Sequence, residues 1–522
     1  MHNAHSPMTV KEKVGQLFFP AAYINDTEEN YQIVEHLIEK CGIGGLTFFH
    51  SRLSAATNFE GKKTIIRNDQ SASRLKTLIA RFQNISKFPL LISIDAEWGL
   101  AMRVEKTPQY PYASTLGALP DSDDHLIFEI GQNIALDLKK LGINYNLAPV
   151  MDVNDNPKNP VIGYRSFGDN KFKVAQKALA FYNGMAIENV IGCMKHFPGH
   201  GNTAVDSHLG LPVIEKSLEQ MHNQELVPFK EAIKQNVDSI MIGHLAVPAL
   251  TNGKIISATL SFEIIQDLLR NELGFKGLVI SDALNMKSVS NLYPEKGMLE
   301  WKAFEAGNDV LCFSENVNEG IEKILKNGSI SQIEDSFQRL LHIKTKAKLF
   351  ENNEFSEVLK FDFQKANILN QKIADRTICV NKNSTSLIPL KSNSKTAVIS
   401  IYNSKKSAFC KTIYQSLPVH YIDIEAVKNF DFEALLQQLQ DFETVVLALF
   451  VPSIKPLNNF EIDGEVFDFL TKAFQNPKVI YCHFGNPYAL DLLSNLDHLN
   501  SYVVCYQHFD EFQIKAASIL VH

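Results

Sequence analysis

Cysteine is scarce and odd in number, with seven residues in 522, at positions 41, 193, 312, 379, 410, 482 and 505. They are scattered, and most sit in apolar runs such as Val310-Leu311-Cys312-Phe313, so buried thiols are expected rather than disulfides. That usage fits a reducing compartment. No apolar run reaches the roughly 20 residues that a membrane-spanning helix needs, so no membrane insertion is expected. The stretch Met1 to Val10 has no basic region followed by an apolar one, and no secretory leader is read there. The expected location is therefore cytoplasmic, or periplasmic if the chain has been trimmed. Long runs of one charge are also missing. Lys and Arg total 51 against 58 Asp and Glu, a net charge of -7. Nucleic acid, which favours a basic face, is thus not an expected partner. Internal repeats and low-complexity tracts are absent. What is present, 45% hydrophobic and 21% charged residues, describes a globular chain with core enough for two or three domains. Oligomeric state is left open.

Apolar strand-like runs alternate with amphipathic helical segments from Val14 onward. The strand candidates are Val14–Ala21, Gly44–Phe49, Pro89–Asp95, Ile143–Val150, Val190–Lys195, Ser239–His244, Leu278–Asp282 and Asp309–Phe313. Helical patterns such as Thr27–Lys40, Ala72–Phe82, His125–Leu141, Lys171–Glu188, Leu218–Gln235 and Phe262–Leu273 lie between them. The fold class is α/β, and the alternation predicts a (β/α)8 TIM-type barrel over 1–350. An open doubly wound sheet has the same pattern. Polar residues gather at several different strand ends (Asp95, Asp152, Lys195, His196, His244, Asp282), which favours the barrel, whose sites are built from many strand ends. A helical linker is expected over 351–390. A smaller α/β sandwich follows over 391–522, with strands at Thr396–Ile401, Thr444–Val451, Lys478–His483 and Ser501–Tyr506. Its last helix runs to Leu520-Val521-His522 with no closing Gly or Pro, which leaves open whether the domain continues.

The candidate chemistry centres on Lys195-His-Phe-Pro-Gly-His-Gly-Asn-Thr-Ala-Val-Asp-Ser-His208. An apolar run leads into it. Pro198, Gly199 and Gly201 favour a shaped loop, and five titratable groups follow a buried strand directly. Such groups are costly to bury without partners, so a site explains them better than a core. Asp206 stands two residues before His208, close enough to hold the imidazole's tautomer, and a positioned imidazole serves as acid and base near neutral pH. Asp282 ends the run Leu278-Val-Ile-Ser. It reads either as a nucleophile at a barrel mouth or as a helix N-cap. Asp95, Arg103 and Arg165 lie near other strand ends. With Lys195 and His196 they would cradle a polyhydroxylated ligand, or the arginines would only form structural ion pairs.

Together these stretches resemble the bacterial β-N-acetylglucosaminidases of glycoside hydrolase family 3, of the two-domain type. The matching residues are Lys195 to Gly201 with Asp206-Ser-His208, Ser281-Asp282-Ala-Leu-Asn-Met286, Ala148-Pro-Val-Met-Asp152-Val-Asn, Asn159 to Gly168, Ile94-Asp-Ala-Glu and Ile242-Gly-His244-Leu. The resemblance covers about residues 8–350. It implies Asp282 as nucleophile, His208 with Asp206 as acid/base dyad, and sugar contacts from Asp95, Arg103, Asp152, Arg165, Lys195, His196 and His244. It also implies a retaining two-step displacement, with no cofactor and no metal. One departure is Glu97-Trp98-Gly99-Leu100, where the family usually has Glu-Gly-Gly-Arg. The implied substrate carries a terminal β-linked N-acetylglucosamine, in a small carbohydrate or a muropeptide, with a place in peptidoglycan fragment recycling. The readings kept beside it are a β-glucosidase or β-xylosidase of the same family, an N-acetylglucosaminide phosphorylase, a sugar-binding protein without turnover and, more distantly, a metal-dependent barrel hydrolase. Against the last, no His-x-His stands at the first strand.

Overall fold

The computed structural model describes residues 8–57, 66–203, 210–351, 359–384 and 386–522. They fall into two compact units. One comprises residues 1–117 with 127–363, the other 118–126 with 364–522.

The first unit opens on a difference from the expected strand Val14–Ala21. Residues Val10–Gln16 are helical instead. Thr9 accepts a hydrogen bond from Glu12 N while the Glu12 carboxylate accepts one from Thr9 N, a capping box that starts a helix where hydrophobicity alone suggested a strand. Among the described residues nine strands follow: β1 (Phe18–Phe19), β2 (Ala21–Asn25), β3 (Gly45–Ser51), β4 (Leu91–Ile94), β5 (Tyr145–Asn146), β6 (Ile191–Phe197), β7 (Ser239–Ile242), β8 (Leu278–Ser281) and β9 (Leu311–Cys312). Strands β2 to β8 form one parallel sheet in sequence order. The sheet curls. Val310, just before β9, bridges Ile280 of β8, and β9 pairs with β1 through Phe18–Leu311 and Phe19–Cys312.

Every residue of β3 and β6 is buried, as expected of strands packed on both faces. Inside the curl, small polar groups satisfy one another: Thr47 Oγ1 lies 2.8 Å from Ser93 Oγ, and Tyr145 Oη lies 2.7 Å from Ser239 Oγ. On the outer face, Phe48 of β3 stacks on Phe82 of the helix Ser71–Ile85. The expected helix Leu218–Gln235 divides into Leu218–Asn223 and Leu226–Lys234. Pro228 has no N–H to donate and fits only the first turn of a helix, so a new helix begins just before it. Two further helices, Met298–Ala306 and Val317–Asn327, were not read from the sequence.

The second unit holds β10 (Cys379–Asn383), β11 (Thr396–Ile401), β12 (His420–Ile424), β13 (Thr444–Phe450), β14 (Val479–Phe484) and β15 (Ser501–Val504). Their order is β10-β15-β14-β13-β11-β12, with β10 antiparallel to β15 and all other pairs parallel. Alternate residues of β11 and β13, such as Ile399 and Leu447, enter a core with Phe469 and Leu470 of the helix Gly464–Ala473. Arg376 ties the segment 118–126 to this unit through an ion pair with Asp123 at 2.7 Å. No helix among the described residues is long and apolar enough to cross a membrane.

Candidate active site

The ends of β4, β6 and β8 carry the chemistry that the sequence pointed to. Asp95 directly follows β4. Its Oδ2 accepts from Arg103 Nη2 at 2.8 Å and its Oδ1 from Lys195 Nζ at 2.9 Å. Lys195, in β6, also sits 2.8 Å from Glu97 Oε1. Glu97 in turn takes a bidentate pair from Arg165, Nε to Oε2 at 2.9 Å and Nη2 to Oε1 at 2.7 Å. Three cations thus enclose two carboxylates. Burial alone would favour protonated acids, but the surrounding cations outweigh it. Glu97 is brought down to about 2 by Arg165 and Lys195. Lys195 and Arg103 hold Asp95 well below the usual carboxylate range. Burial disfavours the Lys195 ammonium, yet Asp95 and Glu97 raise its pKa.

Exposure separates the two acids. The Asp95 side chain is 21% exposed and that of Glu97 only 6%. Asp95 can meet a ligand, whereas Glu97 holds Lys195 and Arg165 in place. The sequence by itself assigns Glu97 no role. The signal was its position two residues after Asp95, the alternation that keeps side chains on one side of an extended chain. The Arg103 guanidinium lies 3.9 Å from the centre of the Phe49 ring, which fixes it from behind. Both expected arginines are therefore engaged by carboxylates. Trp98, the departure noted above, packs against Tyr112 and Tyr164, with ring centres 5.0 and 5.8 Å away.

Asp152 differs from the expected sugar contact. It has no exposed surface, and all its acceptor sites point into the protein. Oδ1 accepts from the backbone N–H groups of His196 and His200, at 3.2 and 2.7 Å, and Oδ2 lies 2.7 Å from His196 Nδ1. An ionised carboxylate can only accept, so Nδ1 of His196 carries the proton of that bond. The burial of Asp152 is offset by His196, and its pKa is lowered. Asp152 thus orients His196 rather than a ligand. His244 also sits away from solvent. Its Nδ1 lies 2.7 Å from Thr259 Oγ1 and its Nε2 2.9 Å from the carbonyl of Ala283. Both ring nitrogens are engaged, and the ring braces the backbone beside Asp282.

Asp282 follows β8. Its backbone N–H donates to Ile242 O at 3.0 Å, and its Oδ1 accepts from Ala283 N at 2.7 Å. The next helix, Lys287–Ser290, has Met286 at its cap position, and between it and Asp282 lies a turn closed by Met286 N donating to the Ala283 carbonyl at 3.0 Å. Burial pushes the Cys312 thiol up, and the charges of Asp282 and Asp95 add to that push. Asp206 and His208 fall on 204–209, outside the described residues.

The segment leading to them is fastened from below. Asn159, fully buried, donates from Nδ2 to the carbonyls of His200 and Gly201, both at 3.0 Å, while its Oδ1 accepts from the N–H groups of Val161 and Ile162. Gly201 rests on the Val153 carbonyl, and a Cβ there would fall 1.7 Å from that oxygen, so no other residue fits. His200 is buried with Nδ1 at 2.7 Å from Thr203 Oγ1. Burial and the neighbouring His196 hold its pKa down to about 4.

Residues 9–343 match the model of the glycosyl hydrolase family 3 N-terminal domain. The chain belongs to glycosyl hydrolase family 3. It is 36% identical over 291 residues to beta-hexosaminidase A of Pseudoalteromonas piscicida, a match that takes in 53% of this chain and 46% of that protein. The chain thus spans about half the length of that relative. It is 35% identical over 254 residues to a beta-hexosaminidase of Neisseria meningitidis, covering 47% of this chain and 68% of the other. Among solved structures, a glycoside hydrolase family 3 beta-N-acetylglucosaminidase from Paenibacillus sp. str. FPU-7 matches with a TM-score of 0.78 and 25% identity, over 99% of this chain and 97% of that one.

Proposed function

We propose that this family 3 protein is a retaining glycosidase that removes terminal β-linked N-acetylglucosamine, and that its first unit works as a (β/α)8 barrel. Asp282 is the nucleophile. His208, braced by Asp206, is the acid and base. In the first step the Asp282 carboxylate forms a bond to the anomeric carbon as the glycosidic C–O bond breaks. The departing oxygen takes the proton from His208. In the second step a water oxygen attacks the same carbon, its proton passes to His208, and Asp282 is released. Asp95 and Arg165, the more exposed members of the cluster, meet the sugar hydroxyls together with Arg103 and Lys195, with His196 beside them. Asp152, Glu97 and His244 hold those groups in place.

The observation that carries this reading is the charge-locked cradle of Asp95, Lys195, Arg103, Glu97 and Arg165 at the β4 and β6 ends, with Asp282 directly after β8 in the same sheet. The names of the relatives favour an N-acetylhexosaminide over a glucoside. A fragment of peptidoglycan, handled in the cytoplasm, is the substrate we assign. The test has two arms. Rates on aryl N-acetyl-β-glucosaminide, aryl β-glucoside and aryl β-xyloside should differ by a factor of about a hundred or more in favour of the first, since a site built to hydrogen-bond an amide rejects analogues lacking it. Asp282→Ala should abolish turnover. Wild-type rates in that variant would end the assignment.

A further inference from the structure

Trp98 has no part in the reaction proposed above, yet it stands beside the groups that carry it. Glu97 and Arg165 form the bidentate pair of the cradle. The residue after Glu97, Trp98, meets the residue before Arg165, Tyr164, with ring centres 5.8 Å apart. Two chain segments thus present an ion pair and an aromatic pair side by side. Tyr112 completes the group, 5.0 Å from Trp98 at 82° and 4.9 Å from Tyr164 at 75°. The group borders the charges of the cradle. Burial raises the pKa of the Tyr164 hydroxyl, and Tyr112, Arg165, Glu97 and Arg103 all act on it as well.

Packing of the tyrosines does not explain the tryptophan. They already meet edge to face without it, and Tyr164 is buried whereas Trp98 is half-buried. The backbone that carries the indole is held still. The Trp98 carbonyl accepts from Tyr110 N at 3.0 Å. Gly99 turns the chain behind it with φ at +102°, where a Cβ would fall 2.9 Å from the Pro108 carbonyl oxygen. A rigid aromatic ring gives contact area at little cost in conformational entropy. A pyranose carries hydroxyls around its edge and C–H groups on its faces. The charged groups of the cradle suit the edge, and an apolar surface suits a face.

Asp282 follows β8, four strands along the sheet from β4, which leads to Asp95 and Trp98. A sugar with its anomeric carbon at Asp282 turns its other end toward the cradle and the indole. We propose that Trp98 is a substrate-binding residue that packs on the C–H face of the terminal sugar, and so sets affinity for that sugar and not for the group it is attached to. This rests on the reading of the cradle as a sugar site, and the experiment separates the two claims.

The chain has two tryptophans, and the other, Trp301, is buried in the helix Met298–Ala306. Intrinsic fluorescence is therefore titrated with free N-acetylglucosamine in the wild type and in Trp98→Phe. A saturable change should appear in the first and be absent from the second. Kinetics on an aryl N-acetyl-β-glucosaminide are measured for both proteins and for Trp98→Ala. Trp98→Ala should raise KM about tenfold, the order expected for covering one apolar sugar face. Its kcat should stay within about twofold, because the contact is the same in ground and transition states. Trp98→Phe, which keeps a ring, should recover most of the lost affinity. A residue that only fills space would instead lower the unfolding midpoint and leave KM in place. Should Trp98→Ala fail to fold, the fluorescence of the wild type and of Trp98→Phe carries the test. An unchanged KM in Trp98→Ala, a fluorescence change that persists in Trp98→Phe, or competitive inhibition by N-acetylglucosamine with no fluorescence change would overturn this role. If the wild type neither cleaves the aryl glycoside nor binds N-acetylglucosamine, the sugar-site reading falls first and takes Trp98 with it.

Discussion

Asp152 sets a carboxylate oxygen 2.7 Å from Nδ1 of His196 and, through its other oxygen, receives the backbone N–H of the same residue. Ring and main chain of His196 are thus held by one side chain, which the His200 N–H also meets at 2.7 Å. Asp152→Asn cannot replace it. An amide has one accepting atom, so either the ring or the backbone donors would face an N–H₂ group. Each lost hydrogen bond to a buried charge costs roughly 1.5–3 kcal/mol. The expected outcome is a clear fall in thermal unfolding midpoint together with a loss of about a hundredfold or more in kcat/KM. A variant that unfolds at the wild-type temperature would show that Asp152 does not hold this corner.

Asp95 and Glu97 share Lys195 but should fail differently when neutralised. Asp95 is the more exposed acid, so on the proposed reading Asp95→Asn should act on KM and kcat/KM and leave the fold intact. Glu97→Gln breaks a bidentate pair with Arg165 in a buried setting, and removing one member of a buried pair costs about 3–5 kcal/mol. Its main effect should be on stability. Side-by-side melting and steady-state kinetics check this. Equal stability losses in both variants would contradict the division.

Much of this arrangement was legible in the sequence, and the rest was hidden for identifiable reasons. The buried strands β3, β6 and β13 read clearly because continuous apolar runs are needed where both faces are covered. The strands β10 and β12 did not, because an edge strand is half solvated: Cys379-Val-Asn-Lys-Asn and His420-Tyr-Ile-Asp-Ile carry little apolar signal. Within the site, the residue types were visible but not their direction. Asp152 and Asp95 look alike at strand ends, yet one points inward to His196 and the other meets the solvent. His244 likewise sits in a matching motif, and only coordinates reveal that Thr259 and Ala283 engage both of its nitrogens.

Lys344 gives the first unit an alkaline-side stability slope. It is buried, its Nζ donating to Gln16 Oε1 at 2.6 Å and to the Pro89 carbonyl at 2.7 Å, and burial brings its pKa down to about 7. Unfolded lysine titrates near 10.4. Between about 7 and 10 the unfolded chain therefore binds the proton that the folded one lacks, and stability rises with pH, by up to about 1.4 kcal/mol per unit. Lys344→Met removes the titration. The wild-type unfolding midpoint should climb relative to this variant between pH 7 and 9. Parallel profiles for the two proteins would argue that Lys344 titrates normally.

His200 and His483 do the corresponding work on the acid side, one in each unit. Burial, with His196 alongside, holds His200 down to about 4, and burial holds His483 at about 4. His483 is enclosed between Tyr481 Oη, 2.9 Å from Nδ1, and the Asn486 carbonyl, 2.9 Å from Nε2. Unfolded histidine titrates near 6.5, so below that pH the unfolded chain takes up protons that the folded chain refuses. The stability each neutral ring contributes is whole above about pH 6.5 and lost as the pH falls toward 4, roughly 3 kcal/mol per ring. Unfolding followed between pH 7 and 4.5 should be steeper in the wild type than in His200→Gln or His483→Gln. Because the residues lie in different compact units, their effects should add in the double variant. A double variant with the wild-type slope would rule out both histidines as its source.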